Sequence, residues 1–253
     1  MESEGQIMDG DHRAPRLYVE MDLAADRQVT LEREQSHYLL SVMRCKAGAP
    51  VRLFNGRDGE WRGELLESSR KQAEVLIREQ IRAQGPLGRI FWLFAPLKQA
   101  RLDYMVQKAV ELGVASMQPV LTQHTVVQRL NLDRMQANAI EAAEQCHLLA
   151  IPAILPEMKL EKALFVLPED ATLVFCDEGA EIASPLNALK NVPNEGPVAV
   201  LIGPEGGFSD KERQTILALP RVIRLSLGPR IMRADTAAVA ALTLVQAVCG
   251  DLA

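Results

Sequence analysis

The residues of this 253-residue chain best suited to chemistry lie in two glycine-bearing loops toward its C-terminal side. The first reads Leu201-Ile202-Gly203-Pro204-Glu205-Gly206-Gly207-Phe208-Ser209-Asp210, after an apolar run and before a helical one. Glycine admits positive φ and lets backbone approach a ligand closely. A tight strand-to-helix turn needs one such residue, and two adjacent glycines after Pro-Glu exceed that need. Ser209 or Asp210 suits the N-cap of the next helix. The loop is neither a P-loop, since GxxxxGK is missing, nor the GxGxxG of a dinucleotide site. The second loop is Leu225-Ser226-Leu227-Gly228-Pro229-Arg230-Ile231-Met232-Arg233-Ala234-Asp235-Thr236, again leading into a helix. Asp235 and Thr236 fall in that helix's first turn, where an acid complements the helix dipole. Arg230 and Arg233 stand beside its start. Between them the two loops can wrap an adenosine with backbone groups.

Such loops need strands to carry them. RIFWLFA (89–95), SMQPVL (116–121), TLVFCDE (172–178), PVAVLIG (197–203) and RVIRLSL (221–227) are apolar runs of strand length. Helical segments are expected over 99–112, 131–147, 209–218 and 234–249, with Gly113 and Gly250 as stops. Near-continuous Val, Leu and Ile in strands alternating with helices indicates a parallel sheet covered on both faces. Ligands in such sheets sit at the carboxyl ends of the strands. Before Gln84-Gly85-Pro86-Leu87-Gly88 the texture differs. RLYVE (16–20), VRLF (51–54), EWRGELL (60–66) and AEVLIRE (73–79) are short strands, with Asn55-Gly56 and Asp58-Gly59 as turns. One helical patch, 32–44, places Tyr38, Leu39, Val42 and Met43 along one side. Short strands with one helix predict a compact β-barrel. The expected division is a disordered start at 1–14, a small domain at 15–85 and an α/β domain at 86–253.

Apolar residues make up 48% and charged residues 24%, an ordinary globular balance. No window approaches the roughly 18 apolar residues of a membrane span. The start, MESEGQIMDGDHR, is acidic without an apolar core, so no signal peptide is expected. Cys45, Cys146, Cys176 and Cys249 form no CxxC pair, and the four histidines form no HExxH. Plain buried thiols and no metal site are expected. The net charge of −5 conceals a basic stretch: residues 13–89 hold 14 Lys and Arg against 11 Asp and Glu. Arg16, Arg27, Arg33, Arg44, Arg52, Arg57 and Arg62 belong to it, and arginine suits phosphate forks and base stacking. A solvated surface explains the same charge equally well.

The pair GPEGGFS (203–209) and LSLGPRIMRADTA (225–237) resembles the SPOUT-class methyltransferases, and within them the ribosomal RNA small subunit methyltransferase E family. RLYV (16–19), HYLLSVMR (37–44) and LFNGRDGEW (53–61) are similar to that family's PUA-like RNA-binding domain. KQARLDYMVQKAVELGV (98–114) and IEAAEQC (140–146) resemble its middle segments. The resemblance covers roughly residues 15–250. It implies a PUA-like β-barrel followed by a parallel α/β domain with a C-terminal trefoil knot, acting as a cytoplasmic homodimer. It implies methyl transfer from S-adenosylmethionine to N3 of a uridine in the decoding region of 16S ribosomal RNA. Its cofactor-binding residues would be Leu201, Ile202, Gly203, Pro204, Glu205, Gly206, Leu225, Ser226, Leu227, Gly228, Ile231, Met232 and Thr236. Arg233 would serve catalysis and RNA, Arg16 and Arg44 would contact RNA, and no membrane partner is implied.

Three positions depart from the family pattern. Tyr38 stands where a second histidine is frequent, and His124 and Leu148 where arginine is usual. The chemistry asks for in-line positioning of an activated methyl and for a uracil N3 anion. Arg233 could stabilise that charge. Glu205 or Asp235 could act as base, if buried. Methylation of another RNA uridine, a non-catalytic RNA-binding module and an NAD oxidoreductase are the alternatives. The RNA-binding module leaves the twin glycine loops unexplained, and the oxidoreductase wants its glycine motif after the first strand.

Overall fold

The computed structural model describes residues 14–67, 72–127, 129–181 and 184–252. The expectation of a disordered segment at 1–14 falls, but for Ala14, outside the described residues. The chain forms two compact units. One runs to Pro86 and includes Ala143–Ala150; the other comprises Leu87–Ala142 and Ile151–Ala253.

In the first unit, β1 (Arg16–Tyr18), β2 (Gln28–Thr30), β3 (Pro50–Phe54), β4 (Glu60–Leu65) and β5 (Glu74–Arg82) form one sheet. Its order is β1-β3-β4-β5-β2, parallel between β1 and β3 and otherwise antiparallel. The expected compact β-barrel takes the form of a half-barrel, with β1 and β2 as the edges of its sheet. Alternation sends Val51, Leu53, Val75 and Ile77 into the core with Leu17, Val29 and Leu39. The second face of β3 is buried too, and Arg52 and Phe54 lie on it. Arg16 explains this burial: its guanidinium lies 3.7 Å over the Phe54 ring and bonds Glu60 at 3.0 Å. It also donates to the carbonyls of Ala143 at 2.7 Å and Leu148 at 2.5 Å, fastening the segment 143–150.

The helical patch is split. α1 (Arg33–His37) passes into a π turn, Tyr38–Val42, with wider spacing than 3.6 residues per turn. Of the four apolar residues expected on one side, only Leu39 is buried; Tyr38, Val42 and Met43 are exposed.

In the second unit β6 (Ile90–Phe94), β7 (Ser116–Leu121), β8 (Ala153–Ile154), β9 (Met158–Lys159), β10 (Thr172–Cys176), β11 (Val198–Ile202) and β12 (Val222–Leu225) form a seven-stranded sheet. The order is β12-β10-β11-β6-β7-β8, with β9 also on β7, and every pairing is parallel. The helices are α2 (Gln99–Glu111), α3 (Leu132–Gln145, its last three residues counted with the first unit), α4 (Leu160–Phe165), α5 (Pro185–Leu189), α6 (Asp210–Leu217) and α7 (Ala234–Cys249). Leu93, Phe175, Leu201 and Ile216 sit together in one core cluster. α7 packs on α2, α5 and β11. Among the described residues no helix is long and apolar enough to cross a membrane.

The strand order decides where the loops meet. β11 and β12 follow one another in sequence, yet β10 lies between them in the sheet. The two glycine loops therefore flank a third carboxyl end, that of β10.

Candidate ligand pocket

At those three carboxyl ends lies a cavity of about 490 Å³, within the usual range of small-molecule sites. Ile202, Gly203, Pro204 and Glu205 line it from the first loop, and Leu225, Ser226, Leu227, Gly228, Ile231 and Met232 from the second. Five expected residues do not line it. Leu201 is wholly buried in the sheet core. Gly206 faces His124, whose Cβ lies 3.2 Å from where a Gly206 Cβ would stand. Arg233 is the exposed N-cap of α7. Asp235 and Thr236 turn into that helix's first turn, where Thr236 N–H donates to Asp235 Oδ1 at 2.9 Å.

The glycines are needed for different reasons. A Cβ on Gly203 would fall 2.5 Å from the Phe208 ring, which folds back against Phe175 edge to face at 5.3 Å. Gly228 has φ +101°, a conformation side chains resist. Its N–H donates to Ser226 Oγ at 3.4 Å, closing the second loop on itself.

The third side of the cavity is the turn after β10, with Cys176, Asp177, Glu178 and Gly179. Asp177 ties three elements together. It accepts from Arg213 Nη2 on α6 at 2.9 Å, from Arg224 Nε on β12 at 2.7 Å and from Gly179 N at 2.9 Å. Burial pushes the Asp177 carboxyl up, but the hydrogen bonds of Arg213, Arg224 and Gly179 outweigh it and leave it below the ordinary carboxylate range. In the sequence only the strand TLVFCDE marks this turn, by ending in two acids before Gly179. The four cysteines are free, as expected of plain thiols, but partly rather than wholly buried. Cys176 is so because its strand ends at the cavity, and burial still pushes its thiol up to about 12.

Outside the cavity wall, Arg101 at the start of α2 pairs with Glu205 and lies 3.9 Å from Asp235. The side chains of Glu205 and Asp235 are 57% and 19% exposed. One guanidinium faces both carboxylates. Arg101, from a segment the sequence marked only as family-like, joins the two loops. Among the described residues no group of three His, Cys, Asp or Glu is placed to hold a metal.

The expected RNA contacts separate. Arg16 is 7% exposed with its donors turned inward, so it is a structural residue of the first unit. Arg44 is exposed at φ +53°, directly after the exposed Val42 and Met43.

A parallel α/β unit with a glycine-walled cavity at its strand ends, preceded by a small half-barrel, defines a two-unit class of ligand-binding protein. Residues 83–246 match the family model described as RNA methyltransferase domain, and residues 31–78 that of the RNA methyltransferase PUA domain. The chain belongs to the ribosomal RNA small subunit methyltransferase E family. The member from Buchnera aphidicola subsp. Schizaphis graminum is 30% identical over 253 residues, covering 95% of this chain and 98% of that one. The family member from Neisseria gonorrhoeae, solved bound to S-adenosyl methionine, has a TM-score of 0.84 at 27% identity. That match covers 95% of this chain and 100% of the other. A Legionella pneumophila methyltransferase in complex with its cofactor SAM has a TM-score of 0.81 at 28% identity, covering 94% and 99%.

Proposed function

We propose that this chain is a cytoplasmic methyltransferase that moves the methyl of S-adenosylmethionine to N3 of a uridine in the decoding region of 16S ribosomal RNA. The observation that carries the reading is the cavity itself, walled by three glycine-bearing loops at parallel strand ends. The residues present fit that cofactor. Leu225, Leu227 and Met232 offer apolar surface, Gly203 and Gly228 offer backbone, and Glu178 offers negative charge to a sulfonium cation. When bound, the cofactor supplies a methyl already activated for transfer.

The chain's own part is positioning and charge. The Asp177 bonds to Arg213 and Arg224 hold the far wall. Arg101 holds Glu205 and Asp235, so both are assigned to fixing the loops and not to taking the proton. Arg230 at the cavity and exposed Arg233 at the α7 N-cap favour the uracil anion as its N3 proton passes to water. RNA holding falls to the first unit, with Arg44 and its exposed neighbours Tyr38, Val42 and Met43. The strand order β12-β10-β11-β6-β7 supports a C-terminal trefoil knot, and α7 supports a homodimer as argued below.

Titration calorimetry of the whole protein against S-adenosylmethionine and NAD tests the cofactor. Binding of the former alone is expected, and no binding would overturn the reading. Mass spectrometry of 16S RNA from a deletion strain tests the substrate, with loss of one methyluridine as the expected result. An unchanged methylation pattern would remove this RNA as the target.

A further inference from the structure

A loop with Gly203, Gly206 and Gly207 has more backbone freedom than most, and freezing it on binding weakens affinity. Something outside the loop must hold it beforehand. The turn after β7 does so. Thr122 N–H donates to Thr125 Oγ1 at 2.9 Å, and Thr125 N–H to Thr122 O at 3.2 Å, which stiffens residues 122–125. Gln123 N–H then donates to Glu212 Oε1 at 2.7 Å. The other oxygen of Glu212 accepts from Ser209 N and Oγ, capping α6 where the glycine loop ends. From this anchored turn His124 reaches the loop. Its Nδ1 lies 3.0 Å from Gly206 O and 3.2 Å from Gly207 O. Both partners are carbonyl oxygens, which only accept, so Nδ1 carries the proton. The contact also gives Gly206 a purpose, because a Cβ there would stand 3.2 Å from His124 Cβ. Gly207 has φ +68° and its N–H donates to Pro204 O at 2.9 Å, so the carbonyls His124 meets belong to a tight turn.

We infer that His124 is a positioning residue, whose Nδ1–H clamps the Gly206 and Gly207 carbonyls and so presets the pocket loop before the cofactor arrives. This rests on the reading of the cavity as the S-adenosylmethionine site. The clamp acts through the loop backbone, so it governs affinity and leaves the transfer step at saturation nearly unchanged.

The shape of the imidazole supplies the test. Asparagine places its amide N–H₂ near the position of Nδ1, whereas glutamine places it near Nε2. His124→Ala and His124→Gln should weaken S-adenosylmethionine binding about five- to tenfold, the worth of one hydrogen bond. His124→Asn should restore most of it, with KM for the cofactor following Kd and kcat holding. Gly206→Ala, whose Cβ crowds His124 Cβ at 3.2 Å, should weaken binding in the same direction and by less. A second readout needs no cofactor. Hydrogen exchange of the Gly207 and Ser209 amides in the free protein should quicken in the alanine and glutamine variants and not in asparagine. Equal exchange and equal affinity in all variants would overturn the clamp, as would rescue by glutamine with failure of asparagine. If the wild type binds no S-adenosylmethionine, the cofactor reading falls, while the exchange rates still decide whether His124 holds the loop.

Discussion

Asp177 shows how one side chain can set the acid tolerance of a pocket. Its carboxyl lies below the ordinary range because Arg213, Arg224 and the Gly179 N–H outweigh the cost of burying it. A carboxyl depressed in the folded state contributes stability above its unfolded value, about 4, and loses it as pH falls through the folded value. Wild-type protein should therefore weaken below about pH 4 partly through this group. Asp177→Asn should be less stable at pH 7 by about 1–2 kcal/mol and should lose less on going from pH 5 to pH 3. Urea midpoints of both proteins at the three pH values check this; parallel curves would refute it. The residue also marks what residue types alone conceal. The glycine loops were legible in sequence because glycine spacing is local, and ten of the thirteen expected pocket residues line the cavity. Asp177 was not, since its partners are 36 and 47 positions away. Arg16 misled for the same reason: its type suggests phosphate, but Glu60, 44 residues on, turns it inward.

Elements long enough to show a period were legible. β3, β4, β5, β6, β7, β10, β11 and β12 fall within or beside the expected runs, as do α2, α3, α6 and α7. The short β2, β8, β9, α4 and α5 were not: strands of two or three residues show no alternation, and helices of five or six residues span under two turns, so neighbours decide their form. The α7 sequence, ADTAAVAALTLVQAVC, is apolar on nearly every side, and the structure resolves which sides are used. Ala238, Ala241, Leu242 and Val245 are buried within the unit. Ala240, Leu244 and Val248, four residues apart, form a half-exposed apolar stripe. A two-fold interface would cover that stripe with its own copy, which is the basis for proposing a homodimer. The placement also selects the variant. A charge at Ala241 or Val245 would break the unit's own core, whereas Leu244→Glu alters the stripe alone. Light scattering should give a dimer for wild type and a monomer for Leu244→Glu, with an unchanged far-ultraviolet spectrum. A monomeric, fully active wild type would exclude the interface.

For the whole molecule, charge distribution matters more than the total. A net charge of −5 argues against a polyanionic partner, yet residues 13–89 hold 14 Lys and Arg against 11 Asp and Glu. Much of that positive charge is used internally: Arg16, Arg52 and Arg82 all approach the buried Glu60, at 3.0, 3.5 and 3.2 Å. What remains for a phosphate backbone is exposed charge such as Arg44, beside apolar and aromatic surface on which a base can stack. The two arginines first paired as RNA contacts should therefore behave differently. Arg44→Glu should leave the melting temperature nearly unchanged and lower RNA affinity. Its salt dependence should flatten by about one phosphate contact, because fewer counterions are released on binding. Arg16→Glu should instead act on folding. It places a second carboxylate against Glu60 and leaves the Ala143 and Leu148 carbonyls without their donor, a loss of about 3–5 kcal/mol. Filter binding to a 16S RNA fragment at several salt concentrations, beside thermal melts of both variants, separates the two effects. S-adenosylmethionine affinity should hold in Arg44→Glu, since that residue belongs to the first unit and the cavity to the second. A stable Arg16→Glu protein with selectively weakened RNA binding would return Arg16 to the RNA surface and contradict its burial. An Arg44→Glu protein with the same affinity and the same salt slope would move the RNA surface away from the π turn.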